Sequence, residues 1–323
     1  MIKKNKLNIA IIGLGNIGSY LYKYLNKNKN ILSKKNNCIP NILFVSAKNK
    51  NKKRNIKINK RKWLKNYLDA TKSKNVDIIV ELIGGAEGAA KKLVFNALKN
   101  KKHVVTANKA LIAKYGNQLS KIAEDNNVNL EFEAAVCGGV PIIRSLKESL
   151  IANKINRVYG ILNGTSNYIL SAMDKEKKDF KAVLADAKKL GYAETNPLSD
   201  LNGDDVAAKL KILSSLCFNS FIDHNIHIEG INLIDKIDID NANQLGYKIK
   251  LLGVSEKLNN KIYQRVHPTL IKKSSYIASI DGVLNAVIVD GKPVGQNVIQ
   301  GEGAGPEATT SALVSDISSI LRG

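Results

Sequence analysis

The sequence predicts an α/β protein in which a doubly wound parallel sheet is joined to a second, α+β domain. Three observations carry this. Short, near-continuous apolar runs alternate with segments that read as helix or loop through the first 140 residues, and a glycine-rich turn follows the first run. Beyond Pro141 the pattern changes to longer helical stretches and later to alternating strands. At 323 residues, two domains are expected. The first is expected over 1–140 together with 302–323, the second over 141–301.

Asn8-Ile9-Ala10-Ile11-Ile12 reads as the first strand, and Ile17, Leu21, Tyr24 and Leu25 then recur at helical spacing. Further strands are predicted at 42–45, 76–80, 103–106 and 128–132. A Lys/Asn-rich stretch over 26–41 lengthens the first helix-to-strand connection. In the second part, helices are predicted over 181–190 and 204–218 and strands over 263–267 and 286–289. The glycine cluster Gly301-Glu302-Gly303-Ala304-Gly305-Pro306 leads into a last helix over 307–321.

Between the first strand and helix stands Gly13-Leu14-Gly15-Asn16-Ile17-Gly18. Its first glycine permits a tight turn, the second lets a pyrophosphate approach the backbone, and the third lets helix and strand pack closely. Set between a predicted strand and helix at the chain start, the pattern is expected to be the dinucleotide-binding turn of a Rossmann-type sheet rather than a purely structural turn. NAD-specific sites usually place an Asp or Glu at the end of the second strand to take the ribose hydroxyls. No carboxylate precedes Asp69, and the second strand runs into Ser46-Ala47-Lys48-Asn49-Lys50. Lys48 is therefore either a 2′-phosphate ligand or plain surface, and NADP is expected, with NAD possible.

The formal charge of +22 has a local origin. Residues 1–68 hold 18 of the 50 Lys and Arg and none of the 28 Asp and Glu. Lys and Asn interleave there without aromatic residues spaced for stacking bases, so solvated surface is expected and no nucleic-acid partner. No apolar run is long enough to span a bilayer and the N-terminal run is too short for a signal peptide, so no membrane association and a cytoplasmic location are expected. Cys38, Cys137 and Cys217 are too scattered for a disulfide framework or a zinc site.

On a helical wheel of about 100° per residue, Asp205 and Lys209 fall inside the apolar arc of Val206, Leu210, Ile212, Leu213 and Leu216. Such a pair is either a structural buried ion pair or part of a site. Glu194 and Asp200 just upstream favour a site. Three carboxylates and a lysine within sixteen residues suit an ammonium-bearing substrate and proton delivery.

These residues, with Thr106-Ala107-Asn108-Lys109, Phe132-Glu133-Ala134-Ala135-Val136-Cys137-Gly138-Gly139-Val140-Pro141, Gly160-Ile161-Leu162-Asn163-Gly164-Thr165-Ser166-Asn167-Tyr168, Gly191-Tyr192-Ala193-Glu194 and Gly303-Ala304-Gly305, resemble the homoserine dehydrogenase family over nearly the whole chain. The resemblance implies NAD(P)-dependent interconversion of L-aspartate 4-semialdehyde and L-homoserine, on the route to threonine, isoleucine and methionine, by a homodimer. It implies Lys209 as proton donor and Lys109 as a second catalytic lysine beside the nicotinamide. Glu194, Asp200, Asp205 and Thr165 are the implied substrate-binding residues. Gly13, Gly15, Asn16, Ile17, Gly18, Lys48, Thr106, Lys109 and Gly303 are expected on the coenzyme side. A monovalent cation, Na+ or K+, is implied at Glu133, Val136, Gly138 and Val140.

Asn196 departs from the family, which often has Asp there. As given, the sequence stops at Gly323 without the regulatory domain or the fused kinase of many family members, so feedback control by threonine through such a domain is expected to be missing. The alternatives are another Rossmann oxidoreductase acting on an amino-acid carbonyl or imine, a non-catalytic NADP-binding protein, or a basic nucleic-acid binder that borrowed the fold.

Overall fold

The computed structural model describes residues 5–220 and 226–322. Contacts divide the chain into two units, Met1–Gly139 with Gly305–Gly323, and Val140–Ala304.

The first unit is built on a parallel sheet of strands β1 (Asn5–Ile12), β2 (Cys38–Ser46), β3 (Ile78–Glu81), β4 (His103–Thr106) and β5 (Leu130–Glu131), in spatial order β2-β1-β3-β4-β5. Its helices are α1 (Asn16–Lys27), α2 (Lys29–Asn36), α3 (Asp69–Lys72), α4 (Ala89–Lys99) and α5 (Lys109–Asp125). Ile9, Ile11, Ile78, Val80 and Val105 share one core cluster with Leu21 and Leu25 of α1 and Leu32 of α2. The alternate residues Ala10, Ile12, Ile79 and Val104 point to the opposite face and are buried too, which explains why these strands read as unbroken apolar runs. The Lys/Asn-rich connection is not one long loop: α2 occupies most of it and ends at Asn37 in a left-handed conformation. Pro40 is tolerated within β2 because that strand lies at the sheet edge.

The second unit carries a mixed sheet in the order β11-β10-β6-β8-β9-β7, comprising β6 (Lys154–Ile161), β7 (His227–Ile228), β8 (Tyr247–Leu258), β9 (Lys261–Lys272), β10 (Leu284–Lys292) and β11 (Gly295–Glu302). The pairings are antiparallel except β7 with β9. Its helices are α6 (Ile142–Arg144), α7 (Gly164–Glu176), α8 (Phe180–Lys189), α9 (Leu198–Leu201), α10 (Asp204–Phe218) and α11 (Lys236–Gln244). α10 lies against β6 and β8. At that crossing a Cβ on Gly253 would stand 2.9 Å from Val206 Cγ1, so the small residue sets how closely helix and strand approach. The final helix, α12 (Pro306–Arg322), belongs to the first unit, where Leu313, Ile317 and Ile320 complete the cluster around β1.

Candidate active site

In the first unit, β1 lies between β2 and β3, so the chain leaves it in opposite directions, and the carboxyl end of β1 is where open parallel sheets bind ligands. Each glycine of the turn has its own constraint there. Gly13 adopts φ +108°, and a Cβ on it would stand 2.3 Å from the Leu82 carbonyl oxygen; one on Gly18 would stand 2.0 Å from the Gly13 carbonyl oxygen. A Cβ on Gly15 would meet nothing within 4 Å, and Gly15 caps α1 without a side-chain bond, so the first-turn N–H groups are left without a side-chain cap.

Beside this turn lies a cleft of about 350 Å³, lined by Gly15, Asn16, Tyr20, Lys23, Lys52, Lys53 and Arg54 among others. Arg54 holds the basic loop against the turn. Its Nε donates to the Leu14 carbonyl at 2.8 Å, and its terminal nitrogens donate to the carbonyls of Asn49 at 2.7 Å and Lys52 at 2.8 Å. Lys48 is exposed and is not part of the cleft lining, whereas Ile17 is half-buried against the core.

The loops after β3 and β4 are tied together by Glu81, which is completely buried. Its Oε1 accepts the N–H groups of Ile83 at 2.7 Å and Gly84 at 3.0 Å, and its Oε2 accepts the Thr106 hydroxyl at 2.5 Å. Thr106 Oγ1 accepts the Asn108 N–H at 3.0 Å, and Asn108 Nδ2 donates to the Gly85 carbonyl at 2.8 Å. The Thr106 side chain is thus engaged in shaping these loops. Lys109 is half-buried at the start of α5.

Further along, Glu133 is 3% exposed, and its N–H donates to Asp316 of α12 at 2.9 Å. Val136 and Gly138 follow it in a buried segment that turns through positive φ at Cys137 and Gly138; Val140, also buried, opens the second unit. Among the described residues no group of three or more His, Cys, Asp and Glu could hold a metal ion.

The second unit gathers the charged residues singled out on α10. Lys209 Nζ lies 2.8 Å from Asp205 Oδ2 and donates to the Leu162 carbonyl at 2.6 Å. Asn163 Nδ2 donates to Asp200 Oδ1 and to Asp205 Oδ2, each at 2.8 Å. Asp204 and Asp205 stand in the first turn of α10, where the N-terminal end of a helix favours negative charge. Thr165 Oγ1 donates to the Tyr192 carbonyl at 2.7 Å, fastening α7 to the turn that carries Glu194. Glu194 itself is exposed and has no hydrogen bond among the described residues. Gly303 passes directly over Asn285, whose Nδ2 would lie 2.1 Å from a Cβ there.

Asn163, Glu81 and Arg54 are functional candidates that motif reading left unassigned. An Asn preceding Gly-Thr-Ser and an apolar helical run is a recognisable helix cap, which was the available signal for Asn163. Nothing local in the sequence separates Glu81 or Arg54 from ordinary polar residues.

A parallel sheet with a phosphate-accepting glycine turn, joined to a unit holding a shielded lysine paired with a carboxylate, defines a dinucleotide-dependent oxidoreductase. The family model described as homoserine dehydrogenase matches residues 141–318, and the one for its NAD-binding domain matches 13–133. The homoserine dehydrogenase of Neisseria gonorrhoeae is 43% identical over 317 residues, 98% of this chain and 72% of that protein. That of Bacillus subtilis is 38% identical, again over 98% of this chain and 73% of the relative. A crystal structure of a homoserine dehydrogenase from Thiobacillus denitrificans superposes with a TM-score of 0.94 at 41% identity, covering 98% of this chain and 74% of that one. The chain belongs to the homoserine dehydrogenase family. No described helix is long and apolar enough to cross a membrane.

Proposed function

We propose that this chain interconverts L-aspartate 4-semialdehyde and L-homoserine with NADP as the preferred coenzyme, as a cytoplasmic homodimer serving threonine, isoleucine and methionine synthesis. The Lys209 ammonium, held between Asp205 and the Leu162 carbonyl, is the observation that carries this reading. Only a bound nicotinamide supplies or accepts the hydride. The protein's own part is to orient the amino acid and to move one proton. In the reducing direction Lys209 gives its proton to the developing alkoxide, and in the oxidising direction it receives the hydroxyl proton. Lys109, at the start of α5, is assigned as a second catalytic lysine. Asp200 and Glu194 bind the substrate's ammonium group, Asp205 orients Lys209, and Thr165 fixes the edge of the substrate site.

The first unit is assigned to the coenzyme and the second to substrate binding and dimerisation. The open approach at Gly15 fits a pyrophosphate against the first turn of α1, with Gly13, Asn16, Ile17 and Gly18 shaping the turn; Thr106 and Gly303 are assigned to the coenzyme through the family resemblance. Lys52, Lys53 and Lys23 in the adjoining cleft, with Lys48 further out, favour the extra phosphate of NADP. The buried Glu133 and the carbonyls of Val136, Gly138 and Val140 are assigned to a monovalent cation, for which oxygen donors are suited. Exposed Leu258 and Tyr263, on one face of the β8–β9 pair, offer apolar surface for a second copy. A spectrophotometric assay of homoserine oxidation with NADP and NAD in parallel, with and without Na+ or K+, tests the reading. No turnover under any of these conditions would refute it.

A further inference from the structure

Asn163 belongs at once to the frame of the second unit and to its charged cluster. It is 5% exposed and caps α7, its Oδ1 accepting the Ser166 N–H at 2.8 Å. With that oxygen committed to a backbone donor, the amide nitrogen is turned the other way, and its two N–H groups reach Asp200 and Asp205. The preceding residue, Leu162, gives its carbonyl to Lys209. One short turn between β6 and α7 therefore fixes two carboxylates and an ammonium. Two like charges brought this close repel unless a donor lies between them, and that donor is the Asn163 amide.

We infer that Asn163 is a positioning residue for the reaction: it holds Asp200 and Asp205 in one geometry and, through Asp205, aims the Lys209 ammonium. The inference deepens the homoserine dehydrogenase reading and rests on it. Capping and positioning can be separated, because a serine caps a helix about as well as an asparagine but has no amide to reach either carboxylate. An aspartate caps equally well and adds a third negative charge.

The test compares wild type, Asn163→Ser and Asn163→Asp in melting temperature, coenzyme dissociation constant, kcat and KM for homoserine. It also measures the rate of reductive methylation of Lys209 by mass spectrometry, with the other lysines as internal standards. For Asn163→Ser we expect an unchanged melting temperature and coenzyme affinity, a loss of about 10–100-fold in kcat/KM with a raised KM for homoserine, and faster labelling of Lys209. Asn163→Asp should lose at least as much activity. The inference is overturned if both variants stay within about threefold of wild type in kcat/KM with unchanged Lys209 labelling, or if every loss follows the melting temperature. Should the wild type fail to oxidise homoserine, the functional reading falls, while the labelling comparison still decides whether Asn163 governs Lys209.

Discussion

Asp205 and Lys209, one helical turn apart on α10, form an ion pair of 2.8 Å whose side chains are 6% and 11% exposed. An i, i+4 pair on a solvated face contributes a few tenths of a kcal/mol, but this one is shielded from water, where a charge is costly to hold without a use. Lys209→Ala is expected to lower turnover by about two orders of magnitude or more while leaving NADPH affinity nearly unchanged. Steady-state kinetics beside a fluorescence titration of the coenzyme would check it, and near-wild-type turnover would remove Lys209 from the role of proton donor.

The glycines of the turn make opposite demands. An Ala at position 18 drives its Cβ into the Gly13 carbonyl, so Gly18→Ala should destabilise the protein by about 1–3 kcal/mol and abolish coenzyme binding together. Gly15→Ala has free space for the methyl group and should melt like wild type, yet bind coenzyme more weakly because the methyl occupies the pyrophosphate's approach. Thermal melts with coenzyme titrations distinguish the two; equal melting losses would contradict this division.

Coenzyme preference is expected to depend on salt. A 2′-phosphate facing one or two partly exposed cations gains about 1–3 kcal/mol, or one to two orders of magnitude in affinity. Exposed charges are screened within about 10 Å at 0.1 M salt, so the preference for NADP over NAD should shrink as ionic strength rises. It should shrink further in Lys53→Ala, whose side chain lines the cleft, than in Lys48→Ala, which lies outside the lining. Equal affinity for the two coenzymes at low salt would defeat the proposal.

Removing the carboxylate of the proposed cation site gives another test. Glu133→Ala should weaken activity and abolish any response to Na+ or K+, since the proposed set of carbonyl donors loses its one carboxylate. Assays across a series of chloride salts would show it; activity indifferent to the cation in both proteins would argue against the site.

His103 predicts a response to acid. Burial holds its imidazole below the ordinary range, against the opposing influence of Asp77 and Glu131, and its Nδ1 accepts the Asn129 N–H at 3.0 Å, which requires that nitrogen to be unprotonated. The unfolded chain therefore takes up the proton first. The stability His103 contributes is complete above its unfolded pKa of about 6.5 and declines as pH falls from there through the lower folded value. Melting temperature measured from about pH 7 down to pH 5 should fall less steeply in His103→Gln than in wild type.

Local patterns were sufficient for much of this. The strand, glycine turn and helix from Asn8 to Leu25, the helix over 204–218 and the inward placement of Asp205 and Lys209 follow from periodicities of 2 and 3.6 acting on apolar residues, and each appears in the structure. Such signals are legible because backbone geometry converts sequence spacing directly into a face. What the spacing leaves open is which side chains from distant segments meet. Asn163 joins Asp200 and Asp205 only because β6 and α10 pack side by side, and Glu81 reaches Thr106 only because β3 pairs with β4. Arg54 closes the basic loop onto Leu14, bringing Lys52 and Lys53 rather than Lys48 to the cleft. Residue types and local faces were thus set by the sequence itself, whereas the partners of each polar group were decided by tertiary packing, since a buried donor or acceptor must be satisfied by whatever the fold places beside it.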